Sequence, residues 1–552
     1  MTEVNRRTAL GLGAAFVGGS FAFANGNPGE AATASSGSAA DSAVLFWHEV
    51  ALKMNVFDHS FTGAEAETLP RAPGPVASAR ALGVIHAVIA DALFTVSPNS
   101  MFKPHFLKGI APGNVEKDLY VGGAAAAIMF YIYDTGGHAS EIKNSENEFI
   151  RRFRGPDPDR NKRSWEAGRL FGNSKEFQGL WNGDKIRRSI HPTEVMEYQP
   201  REGDHQPDPY HCGQGYYGQL YARDIDPIII SRQDVETNFL PPEPPAKDTK
   251  EWQMSLDQVR TLGRLYLKPG SGTDQPDYQA DQLEVGFFWA YDGARFLGTP
   301  PRLYNQIIRE IAIADGMSEE ELARLLALCN LAMSDAGNVA WHAKYHWRYP
   351  RPVIGIREAG VDDGWMPLGS PKTNVRLPRA GAAITDAGAP VEVTVQDVYL
   401  GAGINASLSG AGIGPRALVG CEAKPDLNYV LGAFTPNFPA YPSGHATFGA
   451  AAFEVLRHVR GERTANPNEL PMIENEHIWH VSDELNGASI DNLSSSARNF
   501  VPRQFETIDL LIEANNKSRE LIGVHWDFDS TEGAKAGKSV ADAIYRDAYK
   551  EA

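Results

Sequence analysis

The chain has 552 residues and a formal charge of −17, with 69 Asp+Glu against 52 Lys+Arg. That acidity excludes a protein that grips nucleic acid or an anionic membrane surface through a broad basic face. Apolar residues at 42% describe an ordinary globular chain, and three scattered cysteines, Cys212, Cys329 and Cys421, allow at most one bridge and no cysteine-built zinc site.

Asn5-Arg6-Arg7-Thr8 precedes a run of small apolar residues over 9–23, and Ala22-Phe23-Ala24 fits a small-x-small cleavage site. This pattern predicts a twin-arginine signal peptide over 1–24, hence a periplasmic or secreted protein. Its removal would take away Arg6, Arg7 and Glu3 and leave the remainder one charge more negative. No later uninterrupted apolar segment reaches the roughly 18 residues of a membrane span, so no membrane partner is expected. Residues 25–42 are rich in Gly, Ala and Ser and read as a flexible leader.

Apolar residues at helical spacing predict helices over 43–54, 76–96 and 124–133. Residues 155–250 are polar and Pro-rich and read mostly as long loops and short elements. The helical pattern returns near 280. Ser318-x-x-Glu321 is a capping box ahead of Leu322, Leu325, Leu326 and Leu328, and it predicts a helix running to about Trp347. Tyr349-Pro350-Arg351-Pro352 stops that helix. Residues 360–437 form a Gly/Pro-rich insertion with a candidate strand over 391–399. Gly401-x-Gly403-x-x-Ala406 then mimics a dinucleotide turn, but no long apolar helix follows, so NAD is not predicted. Further helices open after Pro442-Ser443-Gly444 and over 505–521. His205, His211 and Cys212 around Asp208 lack paired ligand spacing and read as a polar loop. No repeat of fixed period is present. The fold class is mainly α: helical bundles in two four-helix-bundle-like halves, with long loops and few short strands. The division is a helical region over 43–275 and a catalytic region over 276–552.

Three segments carry the chemistry. Lys344 and Arg351 flank the end of the long helix, where cations are favourable in themselves. Ser443-Gly444-His445 opens a helix whose free N–H groups and hydroxyl make an oxyanion cradle. In the third, Ser518-Arg519 precedes His525 and Asp529. Arg519 and His525 are six apart, so a turn at Gly523 must end the helix between them. Asp529, four residues after His525, can fix its tautomer. Two arginines, a lysine, a hydroxyl, a helix start and two histidines suit a tetrahedral oxyanion of several charges. One histidine can bond the central atom while the other serves as acid/base.

In this order and spacing the segments resemble the signature shared by vanadium-dependent haloperoxidases and acid phosphatases of the phosphatidic-acid-phosphatase type. Further stretches are similar to fungal-type vanadium chloroperoxidases. These are Phe287-Phe288-Trp289-Ala290-Tyr291-Asp292-Gly293 leading to residues 298–306, then Ser334-Asp335-Ala336-Gly337, and Phe438-Pro439-Ala440-Tyr441. The resemblance spans about 281–529 and is faint or absent before that. It implies vanadate as cofactor, with no haem, flavin or NAD, and hydrogen peroxide, a halide and an organic acceptor as partners. It implies His525 as the vanadium ligand, with Lys344, Arg351 and Arg519 neutralising the vanadate oxygens and Ser443 and the Gly444 N–H donating to them. His445 would be the acid/base, Lys344 would polarise the peroxide, and Asp292 would tie down the arginines. Phe438 and Trp341 would line the halide side, although plain core packing accounts for both aromatics equally well. The implied product is hypohalous acid from chloride or bromide. Two departures bear on the halide: Pro350 stands where the chloroperoxidase has an aromatic, and Phe438 where bromide-preferring algal relatives have histidine. The alternatives are an exported acid phosphatase, with His525 as nucleophile, and a non-catalytic oxyanion-binding protein. Assembly into a homo-oligomer is left open.

Overall fold

The computed structural model describes residues 41–59, 70–108, 113–134, 136–190, 198–208, 216–264, 279–292, 297–361, 365, 367–371, 433–463, 478–487 and 500–550. The signal-like segment, the candidate strand at 391–399, the turn at 401–406, His211, Cys212 and Cys421 lie outside these residues.

The described chain is mainly helical. Ser42 opens α1 (Ala43–Asp58) by accepting the Leu45 N–H at 3.2 Å. A Pro-Gly-Pro turn opens α2 (Gly74–Val96), followed by α3 (Lys117–Ile132), α4 (Gly136–Phe153) and α5 (Pro158–Gly172). Shorter helices come next: α6 (Lys175–Trp181), α7 (Gly183–Ile190), α8 (Tyr221–Asp224) and α9 (Arg232–Thr237). Then come α10 (Lys250–Leu262), α11 (Gln279–Phe288), α12 (Pro300–Ala314), α13 (Glu319–Trp347) and α14 (Pro352–Glu358). A two-residue antiparallel pair, β1 (Ser370–Pro371) with β2 (Ala433–Phe434), precedes α15 (Gly444–Glu462), α16 (Ile508–Leu521) and α17 (Asp527–Asp547).

The expected helices are present, each longer than or shifted from its apolar stripe. One expectation fails: residues 158–190 are helical rather than loops. α5 is polar outside, begins at an Asp157 cap with Pro158 in its first turn, and docks on α3 through glycines. A Cβ at Gly168 or Gly172 would come within 2.0 and 2.1 Å of the Tyr120 and Ala124 carbonyl oxygens. Contact through missing side chains leaves no apolar period to read.

α13 spans 29 residues, about 44 Å, behind its Ser318–Glu321 capping box. α2 packs along it, and one apolar cluster runs from α1 to α17, across position 275. α2 is apolar and long enough to cross a bilayer, but its most apolar window is 94% buried within the protein, as befits a core helix. Asp335, fully buried in mid-α13, accepts the N–H groups of Ile228, Ile229 and Ile230 at 2.7, 2.8 and 3.0 Å. That carboxylate pins an irregular segment to the central helix and satisfies three successive backbone donors at once. Cys329 is buried and unbridged, and burial raises its thiol pKa, so it acts as a small core side chain.

Candidate active site

The three segments meet. α13 ends at Trp347, and the chain that follows is laced to the approach to α15. The Ala440 N–H donates to Tyr349 O at 2.9 Å, and Arg351 Nε donates to Phe438 O at 3.0 Å. α16 ends at Leu521, Gly523 takes φ +72°, and the turn brings His525 back beside Arg351, as the six-residue spacing requires. The Ser443 N–H donates to Asp529 O at 2.8 Å, joining the second segment to the third.

His525 is held from both sides. Its Nδ1 donates to Asp529 Oδ2 at 2.8 Å, so the lone pair sits on Nε2, which accepts from Arg351 Nη1 at 2.8 Å. The Trp526 N–H donates to the same carboxylate oxygen at 3.1 Å. Burial, then Arg351 and Lys344, hold the His525 imidazole well below its ordinary pKa. A neutral ring whose Nε2 lone pair accepts from Arg351 is the form that can serve as a metal ligand once that contact gives way. Burial raises the Asp529 carboxyl, with Lys344 opposing.

Arg519 forms a fork with Asp292: Nη1 to Oδ2 at 3.1 Å and Nη2 to Oδ1 at 3.0 Å. Arg351 has other partners, the carbonyls of Phe438 and Val524 and His525 Nε2. Asp292 thus hydrogen-bonds Arg519, and its charge also favours the Arg351 guanidinium. Lys344 faces the backbone of the segment leading into α15. Its ammonium donates to the carbonyls of Pro439, Ala440 and Pro442, so it organises the strand leading into the cradle. A buried ammonium needs acceptors on every side, and this loop supplies them. Burial and the guanidiniums of Arg351 and Arg519 pull the Lys344 pKa well down, with Asp529 opposing.

Ser443 caps α15 by accepting the Ala446 N–H at 3.4 Å. A Cβ on Gly444 would meet the Trp341 ring at 3.3 Å, so the backbone there lies close under the aromatic wall. His445 Nε2 donates to Trp289 O at 3.2 Å and lies 3.7 Å from Asp292 Oδ1, which leaves Nδ1 as the base. Burial first, then Arg519, lowers this imidazole to about 3, against Asp292 and the Trp289 carbonyl. The unfolded ring takes up its proton near 6.5 and the folded ring only near 3. This site's contribution to stability therefore falls as pH drops through that window. In protein prepared without vanadate, a histidine 15N titration should show no His445 transition between about pH 5 and 7. A midpoint near 6.5 would contradict this environment.

Asp292, Gly444, His445, Arg519 and His525 line a pocket. His59, Gly74, Pro75, Tyr217, Pro300, Trp341, Pro436, Asn437, Phe438 and Phe448 line it as well, and none of these carries a carboxylate or guanidinium. Trp341 and Phe438 pack at 4.8 Å with both rings under the cations: Lys344 Nζ is 5.6 Å from Trp341 and 5.2 Å from Phe438. They therefore line the pocket and support the cation cluster together. His59, Gly74, Pro75 and Tyr217 were not legible as site residues. His59 Nδ1 donates to Asn55 O at 2.8 Å, and its Nε2 accepts the Gly74 N–H at 3.1 Å, strapping the end of α1 to the start of α2. No motif marks a residue that reaches a pocket nearly four hundred positions away in the chain. His205 and Asp208 are buried in the segment beside Arg348, apart from the pocket lining, with His205 N–H donating to Arg348 O at 2.7 Å.

Residues 38–147 match the vanadium chloroperoxidase N-terminal domain, and residues 393–551 match the second helical-bundle domain of the same enzymes. This chain belongs to the vanadium chloroperoxidase family. The first match corrects the expectation that family resemblance fades before residue 281. Vanadium chloroperoxidase of Curvularia inaequalis is 25% identical, over 88% of this chain and 79% of its own length. The fold is shared with a bacterial vanadium-dependent iodoperoxidase at TM-score 0.58 and 14% identity, covering 91% of this chain and 95% of that one. A holo-type bacterial vanadium-dependent chloroperoxidase aligns at TM-score 0.52 and 13% identity, over 88% and 95%. The Lys344–Arg351 segment lies outside both family-model matches, so its membership of the site rests on the contacts above.

Proposed function

We propose that this family member is a vanadate-dependent haloperoxidase. It would oxidise chloride or bromide with hydrogen peroxide to hypohalous acid, which halogenates an organic acceptor. The observation that carries the reading is His525: a buried imidazole with its tautomer set by Asp529, so that Nε2 is the acceptor, here toward Arg351 Nη1, in a cluster with Arg519 and Lys344. The residues present fit vanadate. Arg351 Nη2 and Arg519 Nε are buried donors with no protein partner, and Ser443 and the start of α15 add a hydroxyl and free N–H groups.

His525 Nε2 would hold the metal. Arg351 and Arg519 would neutralise oxyanion charge, and Ser443 Oγ and the Gly444 N–H would donate to it. Vanadium(V) when bound supplies Lewis acidity toward peroxide without changing its own oxidation state. His445 Nδ1 can take a proton from incoming hydrogen peroxide, and a bound oxyanion's negative charge would raise its pKa from about 3 toward a working value. The balance is peroxide, halide and one proton giving hypohalous acid and water, with two electrons passing from halide to peroxide. Lys344 keeps the 439–442 strand in place under that chemistry. The twin-arginine pattern supports an exported enzyme.

The test is vanadate-dependent halogenation of monochlorodimedone by peroxide with chloride, bromide and iodide, beside cleavage of p-nitrophenyl phosphate. Vanadate should switch halogenation on. Phosphatase activity that vanadate inhibits, without halogenation, would replace this reading with the phosphatase one. The relatives named above include a chloroperoxidase and an iodoperoxidase, so the halide panel decides specificity.

A further inference from the structure

α16 grips His445 twice. Arg519 holds Asp292, the carboxylate 3.7 Å from His445 Nε2. One turn earlier on the same face, Asn515 Nδ2 donates to the His445 backbone carbonyl at 2.9 Å. From α12, the Tyr304 hydroxyl lies 3.0 Å from Asn515 Oδ1 and 3.1 Å from that carbonyl. Asn515 and Tyr304 are fully buried. A helical carbonyl already accepts from the N–H four residues on, here Gly449, so the two side chains are additional to the helix's own pairing. Their approach requires a bare backbone on α15. A Cβ at Gly449 would lie 2.4 Å from Asn515 Nδ2 and 3.4 Å from Tyr304 Cζ. Glycine inside a helix is destabilising relative to alanine, and the space it leaves is filled by the asparagine amide.

We propose that Asn515, oriented by Tyr304, is a positioning residue for His445: it fixes the backbone at the start of α15 so that Nδ1 faces the oxyanion. The inference rests on the haloperoxidase reading. The amide touches no bound group, so its loss should change turnover and leave vanadate affinity in place.

The experiment uses full-length protein with Asn515→Ala, Gly449→Ala and the double variant. Three quantities are measured: vanadate affinity of the vanadate-free protein by 51V NMR, amide hydrogen exchange at Gly449, and bromide-oxidation kcat and KM for peroxide. Each single variant should lose about tenfold in kcat, inside the range that a well-placed acid/base contributes. Vanadate affinity should stay within about threefold, and Gly449 exchange should quicken. Because Gly449→Ala acts by displacing the same amide, the double variant should lose little more than either single one. Unchanged kcat in the variants, fully additive losses, or loss of vanadate affinity in step with kcat would overturn the positioning role. A wild type that binds no vanadate would instead overturn the functional reading on which it rests.

Discussion

Replacing His525 with alanine is expected to abolish vanadate-dependent turnover and to weaken vanadate binding by more than about a hundredfold. Removing an outer partner of a metal-bound histidine already costs about 10–100-fold in affinity, and here the ligand itself is lost. Arg351 Nη1 would keep Val524 O, at 2.8 Å, so the neighbouring guanidinium retains a partner and the variant should fold. Asp529→Asn makes the graded companion. It removes the carboxylate that receives Nδ1–H and the Trp526 N–H, and its vanadate affinity should fall between those of wild type and His525→Ala. Titrating each vanadate-free protein with vanadate, by 51V NMR or calorimetry, separates the three. Wild-type affinity in His525→Ala would dismiss the ligand assignment.

The second large effect belongs to Lys344. Lys344→Ala should keep vanadate, held through His525, Arg351 and Arg519, while bromide oxidation falls by about 10²-fold, the size associated with a catalytic group misplaced by about 1 Å when the segment leading into the cradle loses the ammonium that orders it. It should also cost stability, for a reason visible only in the fold. The ammonium donates to three carbonyls, at Pro439, Ala440 and Pro442. Each buried acceptor left unpaired costs about 1–3 kcal/mol. Urea unfolding and steady-state kinetics on the same preparation test both halves. Full turnover would remove Lys344 from the chemistry. A drop in turnover with unchanged unfolding would show that the strand leading to Ser443 stands without it.

Much of this site could be read from the chain because its signals are local. Ser443-Gly444-His445 marks a helix start, Ser318 and Glu321 mark another, and the gap from Arg519 to His525 demands a turn that Gly523 makes. Side-chain types also announce an oxyanion by inventory. What could not be read is which atom each cation spends on which partner. Lys344 and Arg351 sit seven apart in sequence, yet one meets backbone carbonyls alone and the other a histidine besides, and only the packing of the 438–442 segment decides this. Asp292 resembled a clamp for the arginines, and its hydrogen bonds go to Arg519. The helices over 158–190 were missed because α5 meets α3 through glycines, which leave no apolar trace. Tyr304 belonged to a recognisable stretch, while its partner Asn515 sits in a polar helix as one asparagine beside another.

The strap between His59 and Gly74 has a consequence for how such a pocket diversifies. The charged lining residues all come after 290, while His59, Gly74 and Pro75 reach the pocket from the ends of α1 and α2. Substitutions at these three positions can therefore reshape the lining without replacing a single oxyanion donor. The reverse also holds: the carboxy-terminal helices expressed alone would leave Trp341 and Phe448 facing solvent where a wall should be.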